Sequence, residues 1–147
     1  MKIALVCSYG GHLTEIKYLM EAFEGHEIFF VTYDSIRTRQ LPYQKYLLDN
    51  IEWNPFKLGI SFLKFYKIFK VEQPDIVIST GSEIAIPAFY IAKVFGIKTV
   101  FIESWCRVKT TSGSGRIVYP VSDVFLVQWP ELLKLYGKKA QYQGSVI

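Results

Sequence analysis

The chain has 147 residues, half of them hydrophobic and 16% aromatic, with a formal net charge of +4. That length suits one domain, 1–147, burying roughly 68% of its unfolded surface, and that composition excludes disorder. The charge is moderate and is not massed in a tail. No helix-turn-helix, RNP or zinc pattern accompanies it, so nucleic acid is not expected as a partner.

The first fifteen residues organise the rest. Ile3 to Cys7 is a run of five apolar residues without alternation, which predicts a strand buried on both faces, as in a parallel sheet. Ser8-Tyr9-Gly10-Gly11-His12 follows as a tight turn. Leu13, Ile16, Met20 and Phe23 then recur at helical spacing up to Gly25, predicting one helix. A strand that delivers a glycine turn to a helix N-terminus makes an anion pocket, because uncovered N–H groups and the helix dipole converge there. His12 and Glu15 stand three apart in the first turn, on one face.

Glu27 to Thr32 predicts a second strand, Tyr33 to Gln44 an irregular polar stretch, and Tyr46 to Trp53 a short third strand. Phe56 to Val71 predicts a helix whose wheel sets Lys57, Lys64, Lys67 and Lys70 to one side of Leu58, Phe62, Phe65, Tyr66 and Phe69. Such a helix is either core with a solvated lysine edge, or one that lies on anionic lipid or a second protein. Asp75 to Ser79 is another continuous apolar strand, turning at Thr80-Gly81-Ser82-Glu83. A helix from about Ile86 to Phe95, with Pro87 at its first position, is capped by Gly96. Lys98 to Ile102 predicts a strand ending at Glu103. A Ser/Thr/Gly loop from Thr110 to Gly115 leads to a short helix, Arg116 to Tyr119. Asp123 to Val127 is a strand before Gln128-Trp129-Pro130 and a short helix to Tyr136, and Gln141 to Gly144 a last strand.

Strand and helix alternate throughout, which predicts an α/β, Rossmann-like, doubly wound parallel sheet. Ligands then bind beyond the carboxyl ends of the strands, where four polar clusters gather: 8–12, 80–83, 103–107 and 128–129.

Each cluster also has a plain structural reading. The glycine turn is not the G-x-G-x-x-G dinucleotide fingerprint, and no acidic residue is expected at the end of the second strand to hold a ribose. His12 suits proton transfer near neutral pH or merely begins the helix. Glu103 and Arg107 could form a local ion pair, and Ser112 to Gly115 either cradles a phosphate or is a flexible loop. Two histidines and two cysteines, none at ligand spacing, give no metal site, and no cofactor is implied. Cys7 and Cys106 read as unpaired thiols of a reducing compartment. The opening strand leaves no room for a signal peptide, and no apolar run reaches the ~18 residues of a spanning helix. The expected location is the cytoplasm, peripheral on a membrane's cytoplasmic face.

Three stretches carry a resemblance: Ser8-Tyr9-Gly10-Gly11-His12-Leu13-Thr14-Glu15, Ile102-Glu103-Ser104-Trp105-Cys106-Arg107-Val108 and Val127-Gln128-Trp129-Pro130-Glu131-Leu132. Together they resemble the membrane-recruiting subunit of the two-chain N-acetylglucosaminyltransferase of dolichol-linked oligosaccharide synthesis, and its bacterial relatives in capsule and exopolysaccharide synthesis. The glycine–histidine motif is shared more widely with glycosyltransferases of the two-lobed GT-B type, including MurG. The resemblance implies the N-terminal, acceptor-side lobe of a heteromeric, inverting transferase, which adds a sugar from a UDP-sugar to a polyprenyl-diphosphate-linked saccharide. A separate chain, with a C-terminal-type lobe, would hold the nucleotide sugar. His12 or Glu103 would be the general base. Gly10, Gly11, Glu15, Gly81, Ser82, Arg107, Gln128 and Trp129 would line the acceptor and its diphosphate. Lys57, Phe62, Lys64, Phe65, Lys67, Phe69 and Lys70 would meet an anionic membrane surface. The eukaryotic relatives carry an N-terminal membrane anchor, whereas here the first strand begins at residue 2. The alternative is a non-catalytic scaffold that only recruits and stabilises the catalytic chain.

Overall fold

The seven strands of this computed structural model, which describes residues 1–146, form one all-parallel sheet in the order β3-β2-β1-β4-β5-β6-β7. They are β1 (Lys2–Cys7), β2 (Glu27–Tyr33), β3 (Lys45–Leu48), β4 (Ile76–Ser79), β5 (Lys98–Ile102), β6 (Val124–Val127) and β7 (Ala140–Tyr142). The apolar runs read as strands buried on both faces are so. Along β1, Ala4 and Val6 face one core with Phe29, Val31, Val77, Phe101 and Phe125. Ile3, Leu5 and Cys7 face a second core with Phe30, Ile78 and Ile102.

The first core is covered by α3 (Pro55–Glu72), α4 (Ala85–Phe95) and α5 (Gly113–Val118), the second chiefly by α1 (Gly11–Tyr18). Two short helices complete the set, α2 (Ile36–Arg39) and α6 (Leu133–Tyr136). Strand order reverses between β1 and β4, and the crevice beyond their carboxyl ends is where such a sheet takes its ligand.

Several boundaries differ from expectation. The first α-helix ends at Tyr18, and Met20–Phe23 continues as a 3₁₀ turn that keeps Met20 and Phe23 against the second core. α4 starts at Ala85, so Pro87 is its third residue, a position whose N–H lacks an intrahelical acceptor in any case. α2, four residues long, is too short to show a period in the sequence. Ser35 caps it, accepting from the Thr38 amide at 3.1 Å. β3 stops at Leu48, because the chain turns through left-handed Glu52 and Trp53 (φ 53° and 57°) into Asn54. The Asn54 Oδ1 accepts from the amides of Phe56 and Lys57 and starts α3.

α3 sorts its side chains differently from the expected membrane face. Phe65 and Phe69 are 0% and 1% exposed and belong to the first core, with Phe62 half-buried against it. A helix covering a sheet must spend one stripe on the core, and these positions are that stripe. The outward apolar residues are Phe56, Ile60 and Leu63 in the N-terminal half and Tyr66 and Val71 in the C-terminal half, with Lys57, Lys67 and Lys70 exposed and Lys64 half-exposed among them. No helix among the described residues is long and apolar enough to cross a membrane.

At the opposite end of the sheet, Lys2 Nζ lies 2.7 Å from Glu72 Oε1 and 3.3 Å from Glu27, tying the first strand to the end of α3. Tyr46 also donates to the Glu72 carboxylate. The Lys2 ammonium, then the Tyr46 phenol, hold the Glu72 carboxyl below its ordinary value. A depressed carboxylate contributes stability that is present above the unfolded value and lost as pH falls through the folded one. Glu72→Gln is therefore expected to cost about 1–2 kcal/mol near neutrality. Melting curves of variant and wild type should converge in acid; a constant gap down to pH 3 would show that the charge plays no part.

Candidate functional site

The site is built at the strand-order reversal. β1 ends at Cys7 and hands the chain to Gly10 and Gly11; a Cβ at either would meet nothing within 4 Å, so the turn lies open. The first helical amides follow it, with the intrahelical ladder beginning only at Leu13 and Thr14, which donate to the Gly10 carbonyl.

His12, in the first turn of α1, reaches across to β4. Its Nδ1 lies 2.8 Å from the Thr80 carbonyl, and the Thr80 hydroxyl donates back to the His12 carbonyl at 2.6 Å. A carbonyl only accepts, so Nδ1 carries the proton in this pair and Nε2 is left as the open acceptor. Gly81 sits under the ring. A Cβ there would come 2.9 Å from His12 Cε1, at a backbone φ of +122° that side chains resist. The expected diphosphate contact at Gly81 thus has a second meaning, since its bareness is what lets the imidazole lie where it does. Ser82, also left-handed at φ 79°, is half-buried and donates to Glu83 at 2.6 Å.

Two of the expected ligand residues turn inward. Glu15 is 5% exposed; its Oε1 accepts from the Trp105 amide at 2.6 Å and from Gln128 Nε2 at 2.8 Å. Burial pushes its carboxyl above the ordinary value, against the pull of those two donors. Its Oε2 lies 3.8 Å from His12 Nδ1. Gln128 is buried, also donating to the Glu103 carbonyl, while its oxygen accepts from the Val146 amide. Gln128 is wholly spent on protein partners, and Glu15 borders the open pocket with only an edge, its Oε1 held by two protein donors. They fasten α1 to the segments after β5 and β6.

Glu103 is 1% exposed. Its carboxylate accepts from the amides of Ser104 and Ser112, from the Ser112 hydroxyl at 2.8 Å, and from the Tyr136 phenol. Burial, with the Glu103 charge beside it, keeps that phenol protonated. The ion pair expected with Arg107 does not form. Arg107 is exposed and bonds within its own loop, to Thr110 and the Thr111 carbonyl. The Ser112–Gly115 stretch is not a free loop either; it begins α5, with Ser112 as its cap. Trp129 is half-buried, its indole donating to the Trp105 carbonyl at 2.6 Å with the two rings 5.8 Å apart.

What opens to solvent is a pocket of ≈ 190 Å³ between the glycine turn and the loop after β5. Gly11, His12, Thr14 and Glu15 line it from the turn and α1, and Ser104, Trp105 and Cys106 from the loop after β5. Cys106 is exposed, whereas burial pushes the Cys7 thiol up to about 12 and leaves it inert. Two features were missed in the sequence. Arg37, on the four-residue α2, donates to the carbonyls of Tyr9 and Gly10 and to Thr14 at 2.8 Å, over the glycine turn. An acidic residue does follow β2, Asp34, but Arg39 grips its carboxylate at 2.6 and 2.8 Å, so it is not offered to a ribose. No periodicity marks Arg37, because α2 is shorter than one period of pattern can reveal; Asp34, between β2 and α2, is passed over because the strand is expected to end at Thr32 and runs to Tyr33.

Residues 55–146 match the family described as oligosaccharide biosynthesis protein Alg14 like. The chain belongs to that family. Among Alg14 relatives, the human UDP-N-acetylglucosamine transferase subunit ALG14 is 29% identical over 182 residues, an alignment covering all of this chain and 83% of the human protein. The Schizosaccharomyces pombe alg14 subunit is 40% identical over 101 residues, covering 65% of this chain and 40% of its own length. The fold is that of a GT-B N-terminal lobe, and MurG of Acinetobacter baumannii superposes with a TM-score of 0.81 at 16% identity, over 99% of this chain and 45% of MurG. The UDP-GlcNAc 2-epimerase of Methanocaldococcus jannaschii gives 0.74 at 16% identity, over 99% of this chain and 46% of that one. The Alg14-like chain therefore spans less than half of either of those chains.

Proposed function

We propose that this Alg14-like chain is the acceptor-side subunit of a heteromeric, inverting glycosyltransferase that extends a polyprenyl-diphosphate-linked saccharide from a UDP-sugar. The observation that carries the reading is His12: Nδ1 is spent on the Thr80 carbonyl, while among the described residues Nε2 has no hydrogen-bond partner, and the residue lines a pocket with Gly11 of the uncovered turn. In this reading an acceptor hydroxyl in the pocket gives its proton to Nε2 as its oxygen bonds to the anomeric carbon. The bond from that carbon to the diphosphate breaks, and UDP leaves from the partner chain. Glu15, buried 3.8 Å from Nδ1, stabilises the imidazolium that forms. Glu103 is left out of the chemistry, since four protein donors already occupy its carboxylate.

The test is reconstitution. The purified chain alone is expected to transfer no sugar from a UDP-sugar to a lipid-linked acceptor, and addition of the chain bearing the nucleotide-sugar lobe should start turnover. Transfer by this chain alone would refute the division of labour. Wild-type turnover with His12→Ala would remove His12 from the chemistry and leave either Glu103 as the base or a recruiting scaffold.

A polyprenyl acceptor keeps its tail in the bilayer, so the rim carrying His12 must approach lipid. α3 begins at that rim, where Trp53, 54% exposed, lies against the start of α5 and continues the surface of Phe56, Ile60 and Leu63. Each flanking lysine near an anionic surface contributes on the order of 1 kcal/mol, screened by salt. Binding to anionic vesicles is expected to fall with ionic strength. Changing Lys57, Lys64, Lys67 and Lys70 together to glutamine should remove most of it, and Phe56, Ile60 and Leu63 to serine the salt-resistant remainder. Sedimentation of both variants with vesicles as wild type does would assign this face to something other than lipid.

A further inference from the structure

A second, larger cavity is lined by Arg37, the residue that bonds to the carbonyls of the glycine turn. It measures ≈ 360 Å³ and lies between α1 and the segment that runs from α2 to β3. Two cations line it, Lys17 and Arg37, and among the described residues neither is paired with a carboxylate. The rest of the lining is mostly apolar: Met20, Phe30, Leu41 and Tyr43, with the rings of Phe30 and Tyr43 5.6 Å apart.

Arg37 joins this cavity to the candidate active site. Its contacts with the Tyr9 and Gly10 carbonyls and with Thr14 fix the guanidinium at the edge of the open turn, and Thr14 itself lines the His12 pocket. A guanidinium has five N–H donors, so three contacts leave others for an anion. A free diphosphate would gain nothing from the apolar wall, and a plain hydrocarbon nothing from the two cations. The lining fits one class of ligand, an anion carrying an apolar chain.

We infer that this cavity holds the diphosphate and first isoprene units of the lipid-linked acceptor. The assignment rests on the acceptor-side reading above and adds to it where the lipid enters. Arg37 and Lys17 hold the diphosphate beside Gly10 and Gly11. The isoprene chain runs along Met20, Leu41 and Tyr43, and the saccharide passes over Thr14 toward His12.

The test titrates the full chain with farnesyl diphosphate by calorimetry, with inorganic pyrophosphate and farnesol as separate probes. Farnesyl diphosphate should bind at least about tenfold more tightly than either. Lys17→Glu reverses an exposed charge that has no hydrogen bond or ion pair among the described residues, and Tyr43→Glu puts a charge on the apolar wall. Each should weaken binding about tenfold or more. Lys98→Glu, the same charge change at the far end of the sheet, should not alter it. Pyrophosphate binding as tightly as farnesyl diphosphate would overturn the amphiphile assignment, as would wild-type affinity in both cavity variants. The reconstituted enzyme separates the two readings. If wild-type pairs turn over and cavity variants keep their KM for the lipid-linked acceptor, the cavity is wrong and the acceptor-side reading stands. If farnesyl diphosphate binds as expected but wild-type pairs never transfer sugar, the acceptor-side reading fails and the cavity remains an amphiphile site.

Discussion

Replacing His12 by alanine is expected to lower kcat of the assembled transferase by ~10²–10⁴, the usual worth of a positioned general base. The fold should survive, because the side chain is 29% exposed and its one short contact is to the Thr80 carbonyl. Thr80 is itself fully buried, and water can reach its carbonyl through the space that the imidazole vacates. Gly81→Ala offers an independent check on the same chemistry. It leaves the imidazole in place chemically but drives a methyl group to 2.9 Å from Cε1, so the ring must move. It should lower kcat by at least tenfold with the lipid-linked acceptor still bound, since a misplaced base costs rate more than affinity. Turnover that survives both changes would take the imidazole out of the reaction.

Glu103 should answer in the opposite way, with stability rather than rate. Glu103→Ala removes the common acceptor of Ser104, Ser112 and Tyr136 in a site 1% exposed. Leaving buried donors unpaired costs about 3–4 kcal/mol in total, which for a domain of this size lowers Tm by roughly 6–16 °C. Glu103→Gln, which keeps an acceptor oxygen, should lose less. Tyr136→Phe, which removes one donor and leaves the charge, should fall between them and keep full turnover at low temperature. A Glu103→Ala protein that melts like wild type but transfers no sugar would reverse the assignment and make Glu103 the base.

These expectations divide along the line between what a chain segment says about itself and what only its neighbours decide. The strands at 3–7 and 76–79 and the glycine turn with its helix were legible because each is a local pattern: an apolar run too continuous for an exposed face, then residues that break it. Alternation of those patterns was enough for a doubly wound sheet, and the sheet was enough to put 8–12, 80–83, 103–107 and 128–129 on one rim. The resemblance carried by the three motifs supplied the family.

What the sequence could not determine is which way each polar side chain faces. Glu15, Glu103 and Gln128 share the rim with His12, yet the first three are turned into the protein, where each finds donors or acceptors from segments far away in the chain. Arg37 joins the site from a helix of four residues, and only the β1–β2 pairing carries that helix to the glycine turn. Phe65 and Phe69 went to the core and Phe56, Ile60 and Leu63 to solvent, because the rotation of α3 is set by the sheet it covers. A one-dimensional pattern fixes the period of burial along a segment. Its phase against the rest of the molecule, and the partners of every buried charge, are properties of the packed sheet alone.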